Sequence, residues 1–71
     1  MTWDQLTELQ RRTTLHAMVR FGGGFVSRLG EAWQSAHHGN AQQLAIVFPE
    51  LVENYGPGSA PYARAKAIER A

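Results

Sequence analysis

"RFGGGFVSRLGEAW", Arg20 to Trp33, sets three consecutive glycines between two phenylalanines and then begins the most regular pattern in the chain. Phe25, Val26, Leu29, Ala32, Trp33 and Ala36 recur at i, i+3 and i+4, while Ser27, Arg28, Glu31, Gln34 and Ser35 fall opposite. At about 100° per residue this spacing draws the apolar set into one stripe of a helix. It predicts a helix 2 over about residues 24–37 with its stripe in the core. Burying Phe25, Leu29 and Trp33 would contribute roughly 1.5–3 kcal/mol each.

The glycines before that helix admit a hinge, a phosphate cradle or a tight corner. A P-loop needs a strand before it and Lys-Ser/Thr behind it, and neither accompanies Gly22, Gly23 and Gly24. The dinucleotide fingerprint fails because Ser27 stands where its last glycine would fall. The corner fits: Gly22 ends helix 1 at positive φ, Gly23 and Gly24 let the backbone reverse closely, and Phe21 and Phe25 pack across it. Free N–H groups at the start of helix 2, flanked by Arg20 and Arg28, make Gly23 and Gly24 part of a candidate anion site.

Upstream, Thr2 and Gln5 have capping-box spacing, and nothing from Asp4 to Phe21 breaks a helix, so helix 1 is expected over about residues 3–21. Leu6 and Leu9 share a face with Thr13, whereas Leu15, Met18 and Val19 point to another. Both faces need cover. A chain of 71 residues buries only about 60% of the surface its unfolded form exposes. A second copy packed on helix 1 is the expected cover, which makes the protein a homodimer.

Downstream, Gly39 suits the left-handed position after helix 2, which leaves His37 and His38 at the negative end of its dipole. Asn40 then caps helix 3 with Gln43 as its reciprocal partner, and the short connection makes helices 2 and 3 an antiparallel hairpin. Helix 3, Ala41 to Tyr55, contains Pro49 and is kinked there or broken into 41–47 and 49–55, with Pro49 at the first position of the second piece. Leu44, Val47, Phe48, Leu51, Val52 and Tyr55 spread over one broad face, and Gly56-Pro57-Gly58 stops the helix. Ser59 and Pro61 can start one more helix, but Tyr62 and Ile68 are its only large apolar groups. The expected fold is therefore all-α: three to four short helices forming a single domain over 1–58, with 59–71 a short C-terminal helix or a frayed tail.

Composition narrows the function. Without cysteine there is no disulfide or thiolate-metal site. Seven Lys/Arg against six Asp/Glu give a net charge of +1, too balanced to argue for nucleic-acid binding by itself. Neither a membrane span nor a signal peptide is visible, so a cytoplasmic protein without membrane contact is expected. His37 and His38 point about 100° apart on a helix and are poor co-ligands for one metal. The carboxylates form no evident dyad, and the remaining histidine, His16, lies within helix 1, so neither a cofactor, a metal nor an enzymatic activity is expected. Helices 2 and 3 have the connectivity of a helix-turn-helix, yet helix 3 offers Gln42, Gln43, Glu50, Glu53 and Asn54 without a basic residue. A nucleic-acid regulator would have to use Arg11, Arg12, Arg20 and Arg28 on helices 1 and 2.

The pattern F-G-G-x-F-V, L-x-x-A-W, an asparagine, A-F-P-x-L and Y-G-P-G is matched here by Phe21, Gly22, Gly23, Phe25, Val26, Leu29, Ala32, Trp33, Asn40, Phe48, Pro49, Leu51, Tyr55, Gly56, Pro57 and Gly58, with Val47 in place of the alanine before Phe48. Over about residues 21–59 it resembles a group of short, mostly uncharacterised proteins encoded by phages and prophages of proteobacteria. Such relatives often carry an aspartate where this chain has His37, so no role of that carboxylate transfers. The resemblance implies a setting in a bacterial host rather than an activity. Small phage proteins without catalytic residues commonly occlude a host protein, host defence components included. The expectation is thus a non-enzymatic protein that binds and modulates a host or phage protein, chiefly inhibiting it by steric occlusion, with Trp3, Arg11, Arg12, Leu15, Met18 and Val19 as contact residues.

Overall fold

The computed structural model describes residues 1–70. A 3-10 turn at Trp3–Gln5 precedes five helices: α1 Glu8–Phe21, α2 Gly23–Gln34, α3 His38–Val47, α4 Pro49–Tyr55 and α5 Ala60–Arg70. No strand occurs among the described residues. The all-α class therefore holds, with five helices where the sequence suggested three to four. Two events account for the difference. Phe48 adopts φ −123° and ψ 59° ahead of Pro49, so helix 3 breaks into α3 and α4. The C-terminal segment is also a full helix, started by Ser59, whose Oγ accepts the Tyr62 N–H at 3.2 Å.

Helix 1 begins five residues later than expected because the T-x-x-Q spacing occurs twice. The Thr2 N–H donates to Gln5 Oε1 at 2.8 Å, but that bond serves only the 3-10 turn. Leu6 is extended (φ −82°, ψ 141°) and drops its side chain into the core. Thr7 and Gln10 then form the box that starts α1: the Thr7 N–H donates to Gln10 Oε1 (2.9 Å) and the Gln10 N–H to Thr7 Oγ1 (3.1 Å).

The antiparallel hairpin is α1–α2, joined by the single residue Gly22, while α2 and α3 meet only near their junction. Register along α1–α2 is marked by Ser27, whose hydroxyl donates to the Val19 carbonyl at 2.7 Å, and by Gly30. A Cβ on Gly30 would lie 3.1 Å from Met18 Cβ and 3.0 Å from Val19 Cγ2, so the absent side chain is what lets the helices approach. The inner line of α2 consequently runs through Val26, Gly30 and Trp33, flanked by half-buried Leu29. This rotates the expected stripe: Ala32 is exposed, and Phe25, at 68% exposure, packs edge-on against Phe48 instead of across the corner against Phe21.

Trp33, 1% exposed, anchors the core, with its ring 5.2 Å from that of Trp3 and Met18, Leu15, Leu51 and Val52 in the same cluster. On its other side α1 offers Thr13, Thr14 and Ala17, all buried, and α5 packs there with Ala65 fully buried. Small side chains allow close helix contact, and the hydroxyls are satisfied: Thr14 Oγ1 donates to the Gln10 carbonyl at 2.7 Å and Thr13 Oγ1 to Glu69 at 2.9 Å. Leu15, Met18 and Thr13 of helix 1 are thus buried within one chain, whereas Leu9, expected on the face of Leu6 and Thr13, is 63% exposed. The Leu15–Met18 face therefore needs no second copy to cover it, and both are core residues. Of the two forms expected for 59–71 the helix is the one adopted, docked on α1; residue 71 lies outside the described residues.

Candidate functional site

An open groove of about 620 Å³ runs between α1, the α2–α3 junction and the end of α5. Trp3 and Trp33 line its apolar part with Leu15 and Ala41. Arg11, Arg12, His37 and His38 bring positive or protonatable groups, and Glu8 and Glu69 bring carboxylates. Four of the six expected contact residues, Trp3, Arg11, Arg12 and Leu15, therefore border one concavity. Met18 is sealed in the core and Val19 is half-buried at the α1–α2 crossing, so neither belongs to it.

Arg11 is held in place. Its Nε–H donates to the Trp3 carbonyl at 3.0 Å, and its guanidinium carbon stands 5.1 Å from the Trp3 ring centroid, a cation–π arrangement. Arg12, one residue on, is exposed and makes no ion pair among the described residues. Glu69 is braced by three groups: Thr13 Oγ1 donates to Oε1, and His16 Nδ1–H donates to Oε2 at 3.0 Å, with Arg12 adding positive charge nearby. Partial burial pushes the Glu69 carboxyl pKa up, but the hydrogen bonds from His16 and Thr13 and the charges of His16 and Arg12 outweigh it and hold it below its ordinary value.

His37 and His38 stand elsewhere on the helices than expected. The Ser35 hydroxyl donates to the Ala32 carbonyl at 3.0 Å, and Ser35 closes α2 three residues early. His37 becomes the N-cap of α3, with the Ala41 N–H donating to its carbonyl at 2.8 Å, and Gly39 and Asn40 lie inside the first turn. The histidines consequently sit at the positive end of a helix dipole, not at a negative one. No side chain caps this end and its first turn holds no acidic residue, so the early N–H groups of α3 lack side-chain acceptors.

The residues of the expected anion site lie apart from the groove. Arg20, Gly23, Gly24 and Arg28 are all exposed, and none of them lines the groove. The positive φ falls on Gly23 (76°) and not on Gly22 (φ −84°). Gly22 is required for space: a Cβ there would meet the Met18 carbonyl oxygen and the Val26 side chain.

The lining holds no Ser, Thr, Cys, Lys or Tyr, so the groove histidines have no nucleophile to activate there. No cluster of three or more His, Cys, Asp or Glu with metal-binding placement occurs among the described residues. The groove presents Trp3 and Trp33 at its apolar end, two guanidinium groups and a helix start. Sequence reasoning missed Glu69 and the placement of His37 and His38. The signal for the histidines was present in Ser35, a residue able to end a helix through its own hydroxyl; Glu69 meets His16 across 53 positions of chain and left none. No helix among the described residues is long and apolar enough to cross a membrane. No family model, curated protein or solved structure matches the chain.

Proposed function

We propose that the protein is a non-enzymatic binding domain of phage or prophage type that acts in the bacterial cytoplasm. It occupies and sterically blocks a functional surface of a host or phage protein, a host defence component being one candidate. The observation that carries this is the groove, which joins two indoles and two arginines, the residue types most enriched at binding hot spots, in one concavity without a nucleophile. A pre-formed helical surface loses little freedom on binding, which suits occlusion. This mode of action needs no second copy on helix 1.

The competing use is nucleic-acid binding through Arg11, Arg12, Arg20 and Arg28. It is disfavoured because Arg20 and Arg28 lie outside the groove and Glu8 and Glu69 stand within it, which interrupts any continuous basic track. Affinity capture from host lysate, with and without nuclease, separates the two. Recovery of one protein in a defined ratio, unaffected by nuclease and inhibited by the captured domain, is the expected result. Retention on DNA that falls steeply with added salt, with no protein recovered, would replace it with the nucleic-acid function.

A further inference from the structure

We propose that the last turn of α5 is a pH-gated strap: Glu69 clips it to Thr13 and His16 of α1 while carboxylate and imidazole are both charged, and loss of either charge loosens the turn and withdraws the carboxylate from the groove wall. The device concerns the shape of the groove and does not depend on what the groove binds. Unequal anchoring along α5 supports it first. The start of the helix is capped by Ser59, with Pro61 and Tyr62 half-buried, and its middle is docked through Ala65, its one buried residue. Beyond Ala65, residues 66–70 are all exposed. Two side-chain bonds tie this end to α1 among the described residues, and both end on Glu69: Thr13 Oγ1 donates to Oε1 at 2.9 Å and His16 Nδ1–H to Oε2 at 3.0 Å. A helix of this length is marginal by itself, so its end keeps its place only as far as that clip holds.

The position of Glu69 makes the clip sensitive to charge. A carboxylate in the last helical turn stands at the negative end of the helix dipole, and neither Lys66 nor Arg70 of the same helix pairs with it among the described residues. Protonated His16 supplies the opposing charge; neutral His16 leaves only a hydrogen bond. Histidine is the side chain whose charge changes between about pH 5 and 8. In acid the other member fails. Partial burial raises the Glu69 pKa, but the bonds from His16 and Thr13 and the charges of His16 and Arg12 outweigh it and hold it below 4.5, so the clip is present above that pH and is lost as pH falls through the folded value. Other charged groups surround the pair. Arg12 and Arg20 lie one turn to either side of His16, Glu8, Arg11, His37 and His38 share the groove lining with Glu69, and Arg28 and Glu31 of α2 are exposed; none of them is bonded to His16 or Glu69. His37 and His38 share the chemistry of His16, so a substitution at His16 is needed to separate them.

The test is methyl relaxation of the full chain, labelled at alanine and isoleucine, from about pH 3 to about pH 9, with Ala65, Ala67 and Ile68 as reporters. Order at Ala67 and Ile68 should be greatest in the mildly acidic to neutral range and fall on both sides, while Ala65 stays fixed. The released turn should gain roughly two- to fivefold in population on each side, the factor a partly exposed ion pair supports. Contacts from the Thr13 methyl to the Glu69 side chain should fade in step. His16→Gln, which keeps a neutral donor, should lower the order near neutrality and abolish the alkaline fall; Glu69→Gln should abolish both falls and leave the turn loose throughout. An unmoved Trp33 indole resonance shows at each pH that the core is intact, and the alkaline arm decides the test if acid unfolds the protein. Constant order across the series would overturn the proposal. So would an alkaline fall that survives His16→Gln, which would assign it to His37 or His38, or loosening of Ala65 together with Ala67 around an intact core, which would make the whole helix the moving part.

Discussion

Gly22 and Gly23 are neighbours with opposite reasons to be glycine. At Gly23 a Cβ would meet nothing within 4 Å, but φ is +76°; at Gly22 φ is ordinary and the space is filled by Met18 and Val26. Gly23→Ala should therefore cost about 1–2 kcal/mol, the usual charge for a left-handed alanine. Gly22→Ala should cost roughly 1–3 kcal/mol through overpacking against a backbone carbonyl that cannot rotate away. Urea denaturation of both variants checks this, and a neutral Gly22→Ala would show that Val26 yields at no expense. The sequence makes it plain that glycines turn the chain here, since two phenylalanines and two helical patterns flank them. Which glycine carries the positive φ was not legible, because it depends on how tightly Val26 seats against Met18. Gly30 was passed over for the same reason: its small size matters only once α1 lies across it.

Helix existence was legible wherever chemistry at the ends was unique. Pro49 starts α4 and Ser59 starts α5 as their residue types require. Ambiguity entered where a signal was repeated or rivalled, as with Thr2/Gln5 against Thr7/Gln10, and with Asn40 against His37 for the start of α3. His37 won that position without making a capping bond. His37→Asp should accordingly stabilise the fold by about 0.5–2 kcal/mol, because a carboxylate at the N-cap accepts a first-turn N–H and complements the dipole. A raised melting temperature is the measurement, and an unchanged one would mean the end is satisfied some other way.

Assembly of the five helices was the least legible level, because its decisive contacts have no hydrophobic signature. α5, with Ala65 buried, reads in sequence as a bland tail, yet it packs on α1, where Thr13, Thr14 and Ala17 are buried. Ala65→Leu should cost roughly 1–3 kcal/mol if that contact is as tight as full burial implies, and nothing if α5 frays. The Glu69 clasp adds a pH dependence. Its folded pKa is lowered from the ordinary 4.5, so its stabilisation is present above about that pH and is lost as pH falls through the folded value. The difference in melting temperature between wild type and Glu69→Gln should be widest near neutrality and close under acid conditions; a gap that persists or widens in acid would contradict the assignment. One consequence of α5 lying on α1 concerns synthesis. As the chain leaves the ribosome, α1 and α2 can pair at once, but the threonine-lined flank of α1 stays bare until α5 emerges. Translation that halts before α5 would leave a half-closed hairpin, with that flank of α1 open to proteases.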